Sequence, residues 1–187
     1  MKYCSDCGGD IEFRIPDGDN RERAVCTRCA MIHYSNPKNV CGCILEWQGK
    51  ILLCKRAIEP RYGYWTVPAG FMENGETTHA GAAREAFEEA EAHCDDLQLF
   101  ALYSLPRISQ VYVMYRGTLR DGFCAPGIES LDVGLYEEDE IPWDVLAFPV
   151  VIESLQRYFE DRKNGQFNVH CADIHSRPGH KIEIVRQ

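Results

Sequence analysis

Between Gly70 and Ala92 the chain reads GFMENGETTHAGAAREAFEEAEA, a loop bracketed by Gly70 and Gly75 that runs into a carboxylate-rich helical stretch. A tight glycine loop followed by small residues predicts a helix from about Thr78 to Ala92. At about 100° per residue, Glu88 and Glu89 lie roughly −60° and +40° from Glu85, so the three share an arc of about 100°. Ala83, Ala86, Phe87 and Ala90 follow the i, i+3, i+4, i+7 pattern and are the expected buried face. Like charges at Glu85 and Glu89 weaken a helix by about 0.2–0.5 kcal/mol when nothing compensates. Two readings stand on these residues. A solvated acidic face accounts for the helix by itself. The glycine loop upstream points instead to a hard-cation site, whose oxygen-only ligands favour Mg2+ or Mn2+ over zinc. Such cations clamp phosphate oxygens and activate water.

A second pattern lies at the N-terminus. Cys4, Cys7, Cys26 and Cys29 form C-x2-C, eighteen residues, then C-x2-C. Two thiolates on each of two tight turns present four sulfurs in the tetrahedral arrangement that suits Zn2+. Ligation would supply folding energy that so short a unit cannot draw from a core. A pair of redox-active thiol motifs is the competing reading. His33 is an alternative ligand, although a complete set of four cysteines leaves it no vacancy, and a closed site of this kind is structural. Cys41, Cys43, Cys54, Cys94, Cys124 and Cys171 have no comparable spacing and read as small buried hydrophobes.

The texture of the chain changes after Pro37. Residues 1–37 are polar and short of periodic apolar residues, and are expected to form a separate zinc-ribbon unit ahead of a domain over 38–187. In that domain VCGCILEW and KILLCKR read as a hairpin, with further strands in LQLFALYSL, QVYVMYRGTL and SLDVGLYEE. IPWDVLAFPVVIESLQRYFEDRKNG reads as an amphipathic helix stopped by Gly165, and the last twenty residues are ambiguous. The expected class is α/β, a mixed sheet with helices. With 45% hydrophobic residues a sizeable core is available, and the net charge of −9 argues against nonspecific binding to nucleic acid or anionic membrane. No apolar run is long enough to span a bilayer and no apolar signal segment opens the chain, so a cytoplasmic protein is expected.

The stretch from Gly70 to Ala92 resembles the signature of the Nudix hydrolases. Gly70, Glu76, Arg84, Glu85, Glu88 and Glu89 match at the required spacing, with Ala86 and Ala92 at the aliphatic positions. One position departs: Glu91 stands where the family has glycine. A glutamate there either keeps a left-handed turn at a backbone cost or lets the helix run on toward His93, and a changed helix end is expected. The resemblance implies a mixed sheet between helices and hydrolysis of a nucleoside diphosphate linked to another moiety. It implies Glu85, Glu88 and Glu89 as ligands of divalent cations, the Gly70 carbonyl as a further ligand, and an Arg84–Glu76 pair fixing the loop on the helix.

A zinc ribbon before such a domain is similar to two branches of the family. The NADH pyrophosphatases carry a downstream SQPWPFP signature, where this sequence has YSLPRISQVYVMYRG. The other branch acts on FAD and ADP-ribose. It is resembled by YGYWTVPAGFMENGETT, SLPRISQVYVMYRG, FCAPGIESLDVGLYEEDEIPWDVLAFP and the C-terminal RPG. That resemblance implies a metal-dependent pyrophosphatase releasing AMP and X-phosphate from an ADP-X substrate, with FAD or ADP-ribose favoured. An NADH or broad dinucleotide pyrophosphatase and a non-catalytic nucleotide sensor are the alternatives. Glu129, in APGIESLDV, is the first choice for the catalytic base, with Glu137, Glu138, Asp139, Glu140, Glu88 and Glu89 as rivals. Arg56, Arg61 and Arg107 are candidate substrate contacts, and Tyr64, Trp65 and Tyr112, with Arg107, are candidates for packing on adenine or flavin, each competing with a plain core or surface role. The expected partner is a small-molecule dinucleotide or nucleotide sugar, with no nucleic acid and no membrane. The ribbon is read as structural, a dimerisation or substrate-rim element, and a homodimer is expected.

Overall fold

The computed structural model describes residues 1–175 and 182–187, arranged as two compact units, Met1–Pro37 and Lys38–Gln187. The C-terminal RPG motif, residues 177–179, lies outside the described residues. In the first unit β1 (Ile11–Arg14), β2 (Arg23–Cys26) and β3 (Ile32–His33) form an antiparallel sheet in that order. Val25 and Cys26 are its buried strand residues, so the apolar content is slight.

The second unit opens with β4 (Lys38–Trp47) and β5 (Lys50–Arg56), joined by Gln48 and Gly49, both with positive φ. Two positive-φ residues match the twist of the flanking strands, and so close a tight hairpin. Next come β6 (Trp65–Thr66), β7 (Ala69–Phe71), α1 (Thr78–Ala90), β8 (Cys94–Leu105), β9 (Gln110–Leu119) and β10 (Ser130–Tyr136). The chain ends with α2 (Pro149–Asn164), β11 (His170–His175) and β12 (Glu183–Arg186). The nine-stranded mixed sheet runs β10-β5-β4-β9-β8-β11-β12, with β6 on β5 and β7 on β4. β4 is parallel to β9 and β11 to β8. The ambiguous C-terminal segment therefore contributes two strands.

Strand alternation divides the core into two layers. Cys41, Cys43 and Leu45 on β4, with Leu52 and Cys54 on β5, pack toward Ala82, Ala86 and Ala90 of α1. Ile44, Ile51 and Leu53 point the other way, toward Val151, Leu155 and Phe159 of α2. Burial of each Leu or Ile contributes roughly 1.5–3 kcal/mol, which makes these layers the main stabilising element. Cys41, Cys43 and Cys54 are fully buried thiols, whereas Cys94, Cys124 and Cys171 are only half-buried.

Two expectations about α1 are corrected. Its buried face is Gly81, Ala82, Glu85, Ala86, Glu89 and Ala90, while Ala83 is half-buried and Phe87 is 50% exposed, tilted against the His93 ring. The helix meets the sheet through its smallest side chains, which leaves no room for a phenyl ring on that side. The helix also does not run on: it ends at Ala90, and Glu91 itself takes the left-handed turn at φ 48° and ψ 23°. The Glu91 N–H donates to the Phe87 carbonyl at 2.8 Å and the Ala92 N–H to the Ala86 carbonyl at 3.2 Å, so the turn survives without glycine.

Candidate active site

α1 starts at a capped end. Thr77 Oγ1 accepts the Ala80 N–H at 3.1 Å, which satisfies one of the free donors of the first turn. The loop ahead of it is tied down by Arg84. Its Nε donates to Glu76 Oε2 at 3.1 Å, and Nη2 donates to Glu76 Oε1 at 2.9 Å and to the Phe71 carbonyl at 3.1 Å. The guanidinium holds the Glu76 carboxyl down at about 2, with the Glu73 N–H assisting. Arg84 Nη1 meets Glu85 Oε1 and Glu88 Oε2, each at 2.7 Å. One arginine therefore joins loop and helix and bridges two of the three glutamates.

Glu85 and Glu89 are buried, 8% and 5% exposed, whereas Glu88 is open to solvent. Of the two readings, the solvated acidic face therefore fits Glu88 but not Glu85 and Glu89. The apolar stripe of α1 includes positions 85 and 89 because four-residue spacing carries them onto the sheet side. Burial pushes Glu89 up to about 8, with the Glu85 charge adding to it and the Ala69 N–H, 3.2 Å from Oε2, opposing it. Burial also raises Glu85, against the Arg84 hydrogen bond. A buried carboxylate stays charged only beside a compensating cation, so this pair is an electrostatic demand for positive charge.

The loop fits that demand. A Cβ added at Gly70 would lie 2.3 Å from the Glu85 carboxylate oxygens, so only glycine lets Glu85 rest against the loop backbone. All the charged donors here are carboxylate oxygens, which suits a hard divalent cation. In the arrangement described, Glu85 and Glu88 both turn to Arg84 while Glu89 turns to the Ala69 N–H, so the three do not converge on one point.

A second loop closes over the end of α1. The Ala125 N–H donates to the Ala90 carbonyl at 2.8 Å and the Gly127 N–H to the Glu89 carbonyl at 3.1 Å. A Cβ at Gly127 would stand 1.7 Å from the Glu88 carbonyl oxygen, so the contact requires glycine. Glu129 follows on this loop, exposed, with its own carbonyl accepting the Ala57 N–H at 2.8 Å. Its charge adds to the upward push on Glu85 and Glu89, which places it in electrostatic reach of both. Glu137, Glu138 and Glu140 instead pair with Lys50, Arg162 and Lys163. A concavity of about 890 Å³ is lined by Glu137, Glu138 and Asp139 with Trp143 and Arg162 and includes none of Glu85, Glu88 and Glu89.

The remaining candidates scatter. Arg56 is buried at the end of β5, with its guanidinium 5.1 Å from the Phe148 ring centroid. Arg61 lies over the Tyr64 ring at 5.1 Å on the surface. Arg107 is exposed in the 3-10 turn Pro106–Ile108 and makes no hydrogen bond to Glu76, Arg84, Glu85, Glu88 or Glu89 among the described residues. Trp65 packs edge-on against Tyr136 at 5.2 Å. Tyr112 lines a narrow slot with Ala69 and Phe148. Ala69, Gly127 and Phe148 belong to no catalytic motif of the sequence; the Gly-Ile-Glu run that ends at Glu129 is the one local signal among them.

In the N-terminal unit the four thiols of Cys4, Cys7, Cys26 and Cys29 lie within 4.8 Å of one another, the geometry of a metal site. Hydrogen bonds from the Cys29 and Arg28 N–H groups, set against burial, bring the Cys26 thiol down to about 6. His33 Nε2 stands 3.3 Å from Cys4 Sγ, a neighbour of the cluster rather than a fifth member.

Comparison with known proteins agrees with this geometry. Residues 2–35 match the family described as Nudix N-terminal, a zinc ribbon, and residues 35–132 match the NUDIX domain. A NUDIX hydrolase of known crystal structure from Nitrosomonas europaea is 53% identical, superposes with a TM-score of 0.87, and covers 92% of this chain and 99% of its own. An ADP-ribose pyrophosphatase from Streptococcus suis, 18% identical with a TM-score of 0.57 over 73% of this chain and 99% of its own, shares the fold. The NAD-capped RNA hydrolase NudC of Yersinia pestis is 24% identical over 144 residues, 75% of this chain and 53% of its own. The chain thus spans about half the length of that curated relative. The fold and the loop–helix site define a hydrolase with a Nudix architecture. The chain belongs to the Nudix hydrolase family, with an N-terminal zinc-ribbon module.

Proposed function

We propose that the protein hydrolyses the diphosphate of an ADP-X compound, with FAD or ADP-ribose as the favoured substrates, to AMP and X-phosphate. The observation that carries the reading is the buried Glu85–Glu89 pair beside the Gly70 loop, two raised carboxyls that call for cationic partners. Mg2+ or Mn2+ held by Glu85, Glu88, Glu89 and the Gly70 carbonyl would supply charge neutralisation at the phosphates and a more acidic water. Arg84 and Glu76 fix loop on helix, so Gly70 and the backbone that carries the carboxylates keep one arrangement, and the Glu85, Glu88 and Glu89 side chains need only turn toward the cation. Glu129 is the general base. The water oxygen bonds to one phosphorus, the P–O bond to the bridging oxygen breaks, and the water proton passes to the Glu129 carboxylate.

The preference for FAD or ADP-ribose rests on the resemblance over residues 60–150 and the absence of Trp-Pro-Phe-Pro after Leu105. The Yersinia relative, named for NAD-capped RNA, favours a second reading in which X is a nicotinamide nucleotide. The proposal further includes zinc in the Cys4 cluster, a homodimer, a cytoplasmic location and a small-molecule rather than a nucleic-acid substrate. It is in keeping with the net charge of −9 and with the finding that no described helix is long and apolar enough to cross a membrane.

A product assay decides between the readings. FAD, ADP-ribose, NADH and NAD-capped RNA are offered separately with Mg2+ and with Mn2+, and AMP or the decapped 5′ end is quantified. Faster turnover of FAD or ADP-ribose is expected. Rapid NADH or capped-RNA cleavage with FAD and ADP-ribose idle would replace the proposal by the second reading.

A further inference from the structure

The end of α1 is capped by a distant stretch of chain, and that stretch leads directly to Glu129. α1 stops at Ala90, so the carbonyls of Glu88, Glu89 and Ala90 have no donor within the helix. The Glu91 N–H turns back to Phe87 and the Ala92 N–H to Ala86. The last three carbonyls meet residues 125–127 instead. The Ala125 N–H donates to Ala90 at 2.8 Å and the Gly127 N–H to Glu89 at 3.1 Å. The Glu88 carbonyl oxygen lies 1.7 Å from where a Cβ of Gly127 would stand. Gly127 is not among the glycines with positive φ. The close approach of two backbones, rather than the backbone conformation, therefore calls for glycine here.

The next residues are pinned as well. The Ser130 N–H donates to the Gly127 carbonyl at 3.0 Å, so Ile128 and Glu129 form the corner of a four-residue turn. The Glu129 carbonyl accepts the N–H of Ala57, just past the end of β5, at 2.8 Å. Backbone bonds thus hold the corner from both sides, one to α1 and one to the sheet. The side chains of the corner are unengaged. Ile128 is 96% exposed. Glu137, Glu138 and Glu140 are paired with basic side chains, whereas the exposed Glu129 carboxylate has no ion pair among the described residues. The fold fixes the backbone of Glu129 and makes no structural use of its carboxylate.

The anchor on α1 has a particular address. The carbonyls that Gly127 meets belong to Glu88 and Glu89, two of the residues proposed to hold the cations. Any shift of the turn away from α1 therefore changes the distance from Glu129 to the carboxylate platform. Misplacing a reacting group by about 1 Å costs on the order of 100-fold in rate.

We propose that Gly127 is a positioning residue for the hydrolysis: seated on the Glu88 and Glu89 carbonyls, it sets Glu129 at the distance from the platform at which its carboxylate takes the proton of the attacking water. The inference rests on the reading of the protein as a diphosphate hydrolase with Glu129 as general base. Base and carboxylate platform then form one rigid body, joined through the orphan carbonyls of a helix end rather than through side chains. Even a methyl group at position 127 lifts the turn, because the atom that it meets is backbone.

The test uses the full chain. Gly127→Ala, Glu129→Gln and the double variant are compared with wild type. Gly165→Ala, at the left-handed end of α2, is a glycine replacement on the other face of the sheet. Each protein is measured for kcat and KM with ADP-ribose, for Mn2+ affinity and melting temperature, and for Mn2+ broadening of the Glu129 amide signal. Gly127→Ala is expected to lose about 10- to 100-fold in kcat, keep KM and Mn2+ affinity within about threefold, and show weaker broadening at Glu129. In the Glu129→Gln background the same replacement should cost less than about twofold more, because the group that it displaces is already gone. Gly165→Ala should lower the melting temperature and leave kcat unchanged. If Gly127→Ala fails to fold, Ala125→Pro, which removes the N–H given to Ala90, takes its place.

Equal losses in both backgrounds, or Mn2+ affinity falling in step with kcat, would overturn the proposal by making Gly127 a support of the helix alone. Unchanged kcat and broadening in Gly127→Ala would overturn it too, as would wild-type activity in Glu129→Gln. Cleavage at the wild-type rate by Gly127→Ala leaves the proposed function standing and removes the inference. If wild type cleaves no ADP-X diphosphate, the proposed function falls and the broadening decides the placement. Its loss in Gly127→Ala keeps Gly127 as the residue that sets Glu129 on the platform, and its persistence removes that role.

Discussion

Arg84 grips Glu76 through two parallel hydrogen bonds, Nε to Oε2 at 3.1 Å and Nη2 to Oε1 at 2.9 Å, eight residues apart in sequence. This fork makes the glycine loop and α1 one rigid piece. Paired with Arg84, Glu76 has its folded pKa depressed to about 2 from an ordinary 4.5. Its stabilising effect is therefore present above pH 4.5 and lost as the pH falls toward 2. Wild type should melt higher than Glu76→Gln at pH 7, with the gap closing steadily between pH 4.5 and 2. A gap independent of pH would show that the ion pair is not its source.

Glu89 has the opposite sign. Its folded pKa of about 8 exceeds the ordinary 4.5, so the protonated form suits the fold and stability is lost as the pH rises from 4.5 through 8. In protein with no added Mg2+ or Mn2+, Glu89→Gln should gain stability relative to wild type over that range. Added Mn2+ should reverse the order by stabilising wild type alone. Melting curves at half-unit pH steps check this, and parallel curves for the two proteins would contradict it.

Glu91→Gly should stabilise the protein by about 1 kcal/mol. The left-handed conformation at φ 48° strains a residue with a Cβ, and the carboxylate stands at the negative end of the α1 dipole. Activity should be unchanged, since Glu91 is exposed beyond the carboxylate platform. Urea unfolding with a parallel activity assay reads both; a loss of stability would mean that Glu91 has a partner that its geometry does not reveal.

These residues also show what can be read from a sequence and what cannot. The spacing of Gly70, Glu76, Arg84, Glu85, Glu88 and Glu89 is local, and so are the strand alternation and the hairpin at Gln48–Gly49, so the class of fold was legible. Burial of Glu85 and Glu89 was not, because periodicity rules send charge outward and a site that binds cations sets charge into the apolar stripe. The left-handed Glu91 was misjudged because the Ala125 and Gly127 N–H groups, over thirty residues away, satisfy the helix end. The meeting of Arg56 with Phe148 joins β5 to α2 and leaves no local trace.

The cysteine cluster predicts one zinc per chain. Metal analysis should find it, and a thiol-blocking mercurial should release it with loss of the amide signals of residues 1–37. Cys26→Ser should have the same effect, because two short turns and a three-stranded sheet with so few buried residues lack other means of support. Retention of those signals after the metal has left would contradict a structural role.

In the proposed reaction, cation and diphosphate meet at the carboxylates of α1. The most direct measurement is AMP release from ADP-ribose and FAD by wild type and Glu89→Gln, with Mg2+ and Mn2+ titrated over each. Wild type should produce AMP in step with bound metal, and Glu89→Gln should lose at least about 100-fold in kcat, equivalent to roughly 2.7 kcal/mol of transition-state stabilisation. Metal-dependent AMP release by Glu89→Gln at the wild-type rate would contradict the account.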